Sequence, residues 1–352
     1  MWQLPADNYW TASVWVGGAT LAITLLLLVV LFALKLAEQA RLRADQRFDD
    51  TWHPLLVRAA LEDGPSLNAL PSLGRGDDWR FLKLWVRFQS TVRGAAQERL
   101  RQLGMQLPCA PWARQLLNSP HRSEQIFAIL TLGYLRDASA WEALAVRLDD
   151  TRNSVFIYVA WALLQLSPTR ATPLVMAQLV RRRDLNLLQT STVLKPFRRT
   201  LHPPLTQGLA QSAADPWLLK LAYALGVQVD ADVLWPMLQP DQPMDVLIGA
   251  LRLLQRPEGL DAVRALSTHP DWQVRTQVAI TLSRLGQAED LERLLQLLMD
   301  PQWWVRYRAA QALAVSPFHS RSALQARVAA LPDRYAREMA QQVFLEMPAP
   351  RS

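Results

Sequence analysis

Two stretches of the chain repeat one another at a spacing of 31 residues, and this register limits the possible folds more than any other feature. Residues 269–282 read HPDWQVRTQVAITL, and residues 300–313 read DPQWWVRYRAAQAL. Pro270 matches Pro301, Trp272 matches Trp303, Val274 matches Val305 and Arg275 matches Arg306. Ala279 then matches Ala310, and Leu282 matches Leu313. A period of this length marks an array of supersecondary units, none of which can bury its apolar face alone. The spacing of Val, Ala and Leu within each unit is that of a helix, and a second Leu-rich helix follows in residues 288–300. Proline opens each unit because it is tolerated at a helix start and cannot continue the helix before it.

Weaker copies extend the register backwards. Residues 150–166 align Val155, Ala160 and Leu163 with Val274, Ala279 and Leu282. Residues 119–135 align Pro120 and Leu132 with Pro270 and Leu282. Between these copies and the clear ones, units near 184–214, 215–240 and 241–268 have lost much of the pattern. The composition agrees with helices separated by turns, since 23 prolines outnumber 13 glycines and half the chain is hydrophobic. The expected fold class is all-α.

The pattern Asp-Pro-x-x-x-Val-Arg-x-x-Ala-Ala-x-Ala-Leu at 300–313 resembles the HEAT repeat family, most closely its shorter form of about 30 residues. The resemblance implies an α-solenoid of antiparallel helix pairs. It also implies that Val305, Ala309, Ala310 and Leu313 are core, and that Arg275 and Arg306 reach acidic groups of neighbouring turns. Trp303, recurring as Trp272, is expected to pack between turns. Trp304 replaces Gln273, and the reading favours packing for it over exposure at a binding surface. Adjacency puts the two tryptophans on different helix faces.

A different signal precedes the array. Residues 14–34 carry no charge over 21 positions, enough helix to span about 31 Å. Tyr9, Trp10 and Trp15 stand at the leading edge, where aromatic rings favour a membrane interface. The first 12 residues hold no Lys or Arg, unlike a cleaved signal peptide. Lys35, Arg41, Arg43 and Arg47 follow the span, so the positive-inside rule places the amino terminus outside and the rest in the cytoplasm. These cations are also available to anionic lipid. The expected organisation is a tail (1–12), a membrane helix (13–36), a helical stalk (37–64), a helical cap (65–118), the array (119–332) and a C-terminal cap with a loose tail (333–352). Within the first cap, residues 77–104 read as one amphipathic helix with Asp77 and Asp78 as its N-cap.

No catalytic, metal or cofactor motif emerges. There is no Walker-type phosphate loop, GxGxxG or GxSxG. The five histidines lack ligand spacing, and Cys109 sits between prolines with no basic neighbour. A lyase or isomerase, the enzyme form the resemblance would allow, has no residue here to carry it. One charge cluster stands out: Arg181, Arg182, Arg183, Lys195, Arg198 and Arg199, with His202 alongside and Asp184 as the only opposing charge. Brought onto one surface, these would bind an anion or an acidic protein segment. Nucleic acid is disfavoured, because few aromatics interleave the cluster and the chain is tethered. The expected protein is a cytoplasm-facing scaffold at the bacterial inner membrane that binds a protein partner, with no cofactor and no catalysis. An envelope or polysaccharide assembly complex is one such host, though no residue points to it. The alternative is an adaptor or sensor in which the basic patch takes an anionic ligand.

Overall fold

The computed structural model describes residues 6–61, 70–74, 76–211 and 215–347, without the side chains of residues 6–14, Ala37 and Arg41. The first five residues of the expected 1–12 tail, the rings of Tyr9 and Trp10, the Arg41 head and the final Pro-Ala-Pro-Arg-Ser therefore lie outside the described set, and residues 6–12 open a helix. No strand occurs among the described residues. The chain divides into two compact units, Met1–Ala140 and Trp141–Ser352. The division falls after residue 140.

The first unit is built on one long helix, α1 (Ala6–Leu61). Its apolar segment is exposed along its described length, from Trp15 to Leu34. The distal part is not a free stalk, because Trp52, Leu56, Ala59 and Ala60 are buried against α2 (Asp77–Thr91) and α3 (Ala95–Gln106). The Trp52 ring meets Phe81 edge-on at 4.9 Å, and Arg80 Nε pairs with Asp45 at 2.5 Å. The expected single helix over 77–104 is two helices. The chain breaks at Val92, whose backbone is extended, and at Gly94, whose φ of 64° an L side chain rarely adopts. Gly76, not an aspartate, is the N-cap of α2; Asp77 instead accepts from the Gly74 N–H at 3.0 Å. The helices α4 (Cys109–Leu116) and α5 (Arg122–Leu135) complete the unit. Cys109 is fully buried, and burial pushes its thiol pKa up to about 12, which removes it as a nucleophile.

The second unit is a succession of helix pairs. Their first members, the motif helices, are α7 (Asn153–Leu166), α9 (Leu187–Leu194), α11 (Pro216–Leu225), α13 (Met244–Leu253), α15 (Trp272–Leu285), α17 (Trp303–Ala314) and α19 (Arg334–Glu346). Each packs on the next. The linking helices α8 (Pro168–Arg181), α10 (Arg198–Gln211), α12 (Ala231–Leu234), α14 (Leu260–Ala265), α16 (Leu291–Leu298) and α18 (Arg321–Ala329) alternate with them, and α6 (Trp141–Ala145) precedes α7. The three weak units at 184–268 are thus three real pairs. Val274, Ala279, Leu282, Val305, Ala310 and Leu313 are all buried, as the register requires.

A recurring hydrogen bond closes each well-formed unit at its entry. Arg275 Nη1 donates to the carbonyls of His269 at 2.7 Å and Pro270 at 2.9 Å. Arg306 Nη1 repeats this on Asp300 at 2.9 Å and Pro301 at 3.4 Å, and Arg337 repeats it on Leu331 and Pro332. The series 275, 306, 337 holds the 31-residue step, so the stretch expected to be a cap is a further motif helix. Pro332, Ala336 and Ala340 carried that signal in the sequence. The earlier units substitute for the arginine. Gln125 donates to the Ser119 carbonyl at 2.7 Å. At the register position of Arg306 the 150–166 unit has Phe156, so Arg182 lies over that ring at 4.4 Å and donates to the Asp150 carbonyl at 2.6 Å.

The acidic half of the expected arginine contacts is met once. Arg275 forks onto Asp300 at 2.6 and 3.0 Å, in a pair almost wholly removed from water. Arg306 meets no carboxylate among the described residues, because Leu331 stands where Asp300 would recur.

Candidate partner-docking face

The six cations expected to form one patch separate in the structure. Arg182 turns inward, as described, and also reaches the Leu148 carbonyl at 3.1 Å. Arg183 pairs with Asp215 at 2.7 Å. Burial raises the Asp215 carboxyl pKa, but Arg183 and backbone N–H donors outweigh burial and hold it below the usual range. Arg181 is exposed at the end of α8. His202 is tied to the Gln228 carbonyl at 2.7 Å.

The remaining three cations stay together. Lys195, Arg198 and Arg199, with Thr192 and Pro196, line an open depression of about 550 Å³ at the turn from α9 into α10. All three are exposed, and none meets a carboxylate among the described residues. Pro196 opens this turn, so α9 ends early and delivers the cations in one cluster.

Beside this turn lies a groove that the sequence reading missed. It has a volume of about 300 Å³ and crosses three consecutive motif helices. α9 contributes Leu187, Leu188 and Ser191; α11 contributes Leu219, Lys220, Tyr223 and Ala224; α13 contributes Asp245, Ile248, Gly249 and Arg252. Leu188 is 78% exposed and Tyr223 is 54% exposed, so their apolar surface is not used by the fold. Gly249 sets the floor: a Cβ there would stand 2.8 Å from Leu219 Cβ, so only glycine allows α13 this close to α11. Lys220 and Asp245 face each other at 3.5 Å on the rim. Arg252 donates to the neutral Gln277 at 3.3 Å and lies 5.9 Å from the Tyr223 ring.

The three motif helices that frame the groove are those whose family pattern is degraded. They run 8, 10 and 10 residues, against 14 for α7 and α15. The loss of pattern was therefore the legible signal, although it reads at first as decay.

A second exposed apolar feature sits at the start of α17. Trp303 and Trp304 are 47% and 51% exposed, so neither packs between turns as expected. Their rings meet edge-on at 4.7 Å, and Trp303 stacks on Tyr307 at 5.0 Å. Adjacency did not separate them, because the first turn of a helix lets wide indoles fold toward each other.

Alternating helix pairs and a repeated entry bond define an α-helical repeat protein. The family model for HEAT repeats matches residues 231–314, from the start of α12 to the end of α17, and the chain carries HEAT repeats there. The match takes in α13, one of the degraded motif helices. No curated protein matches the chain. Among the described residues, no group of three or more His, Cys, Asp or Glu side chains is placed to hold a metal ion.

Proposed function

We propose that this protein is a single-pass scaffold that docks a partner protein on its motif-helix face and holds it at the cytoplasmic side of the bacterial inner membrane. The observation that carries the reading is a coincidence. Three consecutive motif helices carry a weakened repeat pattern, the first two outside the family match and α13 within it, and those three display an apolar groove to water. Stacked repeats offer long binding faces and no built-in reaction, which suits holding another protein. Exposed apolar patches rimmed by polar groups mark interaction sites.

The anchor rests on α1. Its 14–34 segment is long and apolar enough to cross a bilayer, and its described part from Trp15 is exposed throughout. Lys35, Arg41, Arg43 and Arg47 give the orientation by the positive-inside rule, and they are available to anionic headgroups. Confinement to the membrane raises the effective concentration of a docked partner. The adaptor reading keeps only part of its basis, since Arg182 and Arg183 are spent on structure.

The test compares the full chain with one whose 14–34 segment is replaced by an unrelated membrane helix. Both are crosslinked in intact cells, and reporter fusions after Ser352 give the topology. Retention of the same protein partner by both, with a reporter active only in the cytoplasm, supports the scaffold. A reporter active only after export contradicts the orientation, and a partner lost with the swapped helix contradicts docking on the repeats.

A further inference from the structure

The groove carries a charge frame that specifies its occupant beyond the word protein. Leu188 and Ser191 of α9 and Lys195 just past its end follow at helical spacing, so the cationic turn extends from the groove's α9 edge. Arg198 and Arg199 follow in the same depression. Arg252 stands on the opposite, α13 side. Lys220 is already faced by Asp245, whereas the other four cations meet no carboxylate among the described residues. The floor between them is aliphatic and aromatic: Leu187, Leu188, Tyr223 and Ile248.

Resting on the docking reading above, we propose that the groove receives an acidic amphipathic helix of the partner. A helix suits an apolar floor because it satisfies its own backbone hydrogen bonds, whereas an extended segment would press unpaired N–H and C=O groups against it. Three packed helices at 8–10 Å spacing give a floor about 20 Å long, matched by roughly 13 helical residues. Such a helix places apolar anchors at i, i+3 or i+4, and i+7 on the floor. Its carboxylates then meet Lys195, Arg198 and Arg199 at one edge and Arg252 at the other. Charge complementarity of this kind sets orientation and speeds encounter. A phosphate-bearing surface would meet the cations and leave the apolar floor unused.

The experiment uses the full chain in phosphatidylcholine nanodiscs and three fluorescein-labelled peptides of about 18 residues, enough for five helical turns. One carries a Leu stripe with Glu on its other face; the second has Lys for Glu; the third keeps Glu but has Ser in the stripe. Fluorescence anisotropy is expected to show the Leu–Glu peptide binding at least about tenfold tighter than either control. Leu188→Ser with Tyr223→Ser should weaken it by about tenfold, and both side chains are exposed, so the variant folds. Lys195→Glu, Arg198→Glu and Arg199→Glu together should reverse the preference toward the Lys peptide. Equal binding of the Glu and Lys peptides, or binding indifferent to the Leu188 and Tyr223 changes, overturns the proposal. A photocrosslinker at Leu188 in cells separates this from the scaffold reading. An adduct to a basic or neutral protein segment overturns the acidic helix and leaves docking standing. An adduct only to lipid or to a second copy of this chain, or no adduct at all, overturns both.

Discussion

The repeats from α15 to α19 and those from α9 to α13 are built on one plan and use their polar groups in opposite ways. In the first group, charged and polar side chains are drawn inside. Gln277, Thr281, Asp290 and Asp300 are all buried. Asp290 accepts a fork from Arg264 of the preceding α14 at 2.8 and 3.1 Å, and Arg284 reaches back to the carbonyls of Leu251 and Leu254 at 3.1 Å each. In the second group, Thr190 is the only buried polar side chain among the described residues, the charges of the groove sit at its rim, and apolar side chains face water. One region commits its specific contacts to holding neighbouring pairs in place. The other holds together by aliphatic packing and leaves a surface over. A repeat array can thus separate stability from recognition along its length, because each repeat answers mainly to its neighbours.

Breaking a buried pair in the regular region should have the largest effect. Arg264→Ala strips the buried Asp290 of its forked partner, leaving only Arg293 at 3.6 Å, and should cost about 3 kcal/mol. Asp245→Ala, which breaks the exposed pair with Lys220, should cost about 0–1 kcal/mol. Urea unfolding of the full chain in micelles, with hydrogen exchange resolving α14–α16 from α11–α13, measures both; equal losses would erase the contrast.

Acid should act on the same region. Burial raises the Asp290 pKa, but the Arg264 fork and the Gln287 N–H outweigh it and hold the carboxyl below the ordinary range. A carboxylate lowered on folding contributes stability that is complete above its unfolded value, near 3.9, and is lost as pH falls through the folded value. Exchange protection in α14–α16 should therefore fall below about pH 4, and Asp290→Asn should flatten that dependence.

Smaller effects belong to the groove. Gly249→Ala drives a methyl into Leu219 and should cost about 1–3 kcal/mol by overpacking. Leu188→Ser should change stability by no more than about 0.5 kcal/mol while weakening partner capture, as expected of a residue that serves recognition. A large stability loss on Leu188→Ser would return that side chain to the core and remove the groove from the account.

Much of the fold was legible because the 31-residue step fixes which residues must be buried, and Val274, Val305 and their partners obey it. Two errors came from local reasoning set against local backbone facts. Residues 77–104 carry one apolar stripe, yet Gly94 takes a positive φ and splits the helix. Trp303 repeats Trp272, but at the first turn of α17 its ring lies 47% exposed against Trp304 and Tyr307. The site was harder to read. A run of arginines looks like one surface in sequence, but Arg182 was recruited to cover Phe156, where the register lacks its own arginine. The groove depends on which faces of α9, α11 and α13 meet, and no single segment carries that information.

The most direct test of the central claim is a photocrosslinking scan of the full chain in intact cells. It would compare Leu188, Tyr223 and Ile248 in the degraded repeats with Gln273 and Thr276 in a regular one. The account predicts adducts to a common protein from the first three positions and none from the last two. Adducts of equal yield from α15, or from α15 alone, would contradict the division of labour between the two regions.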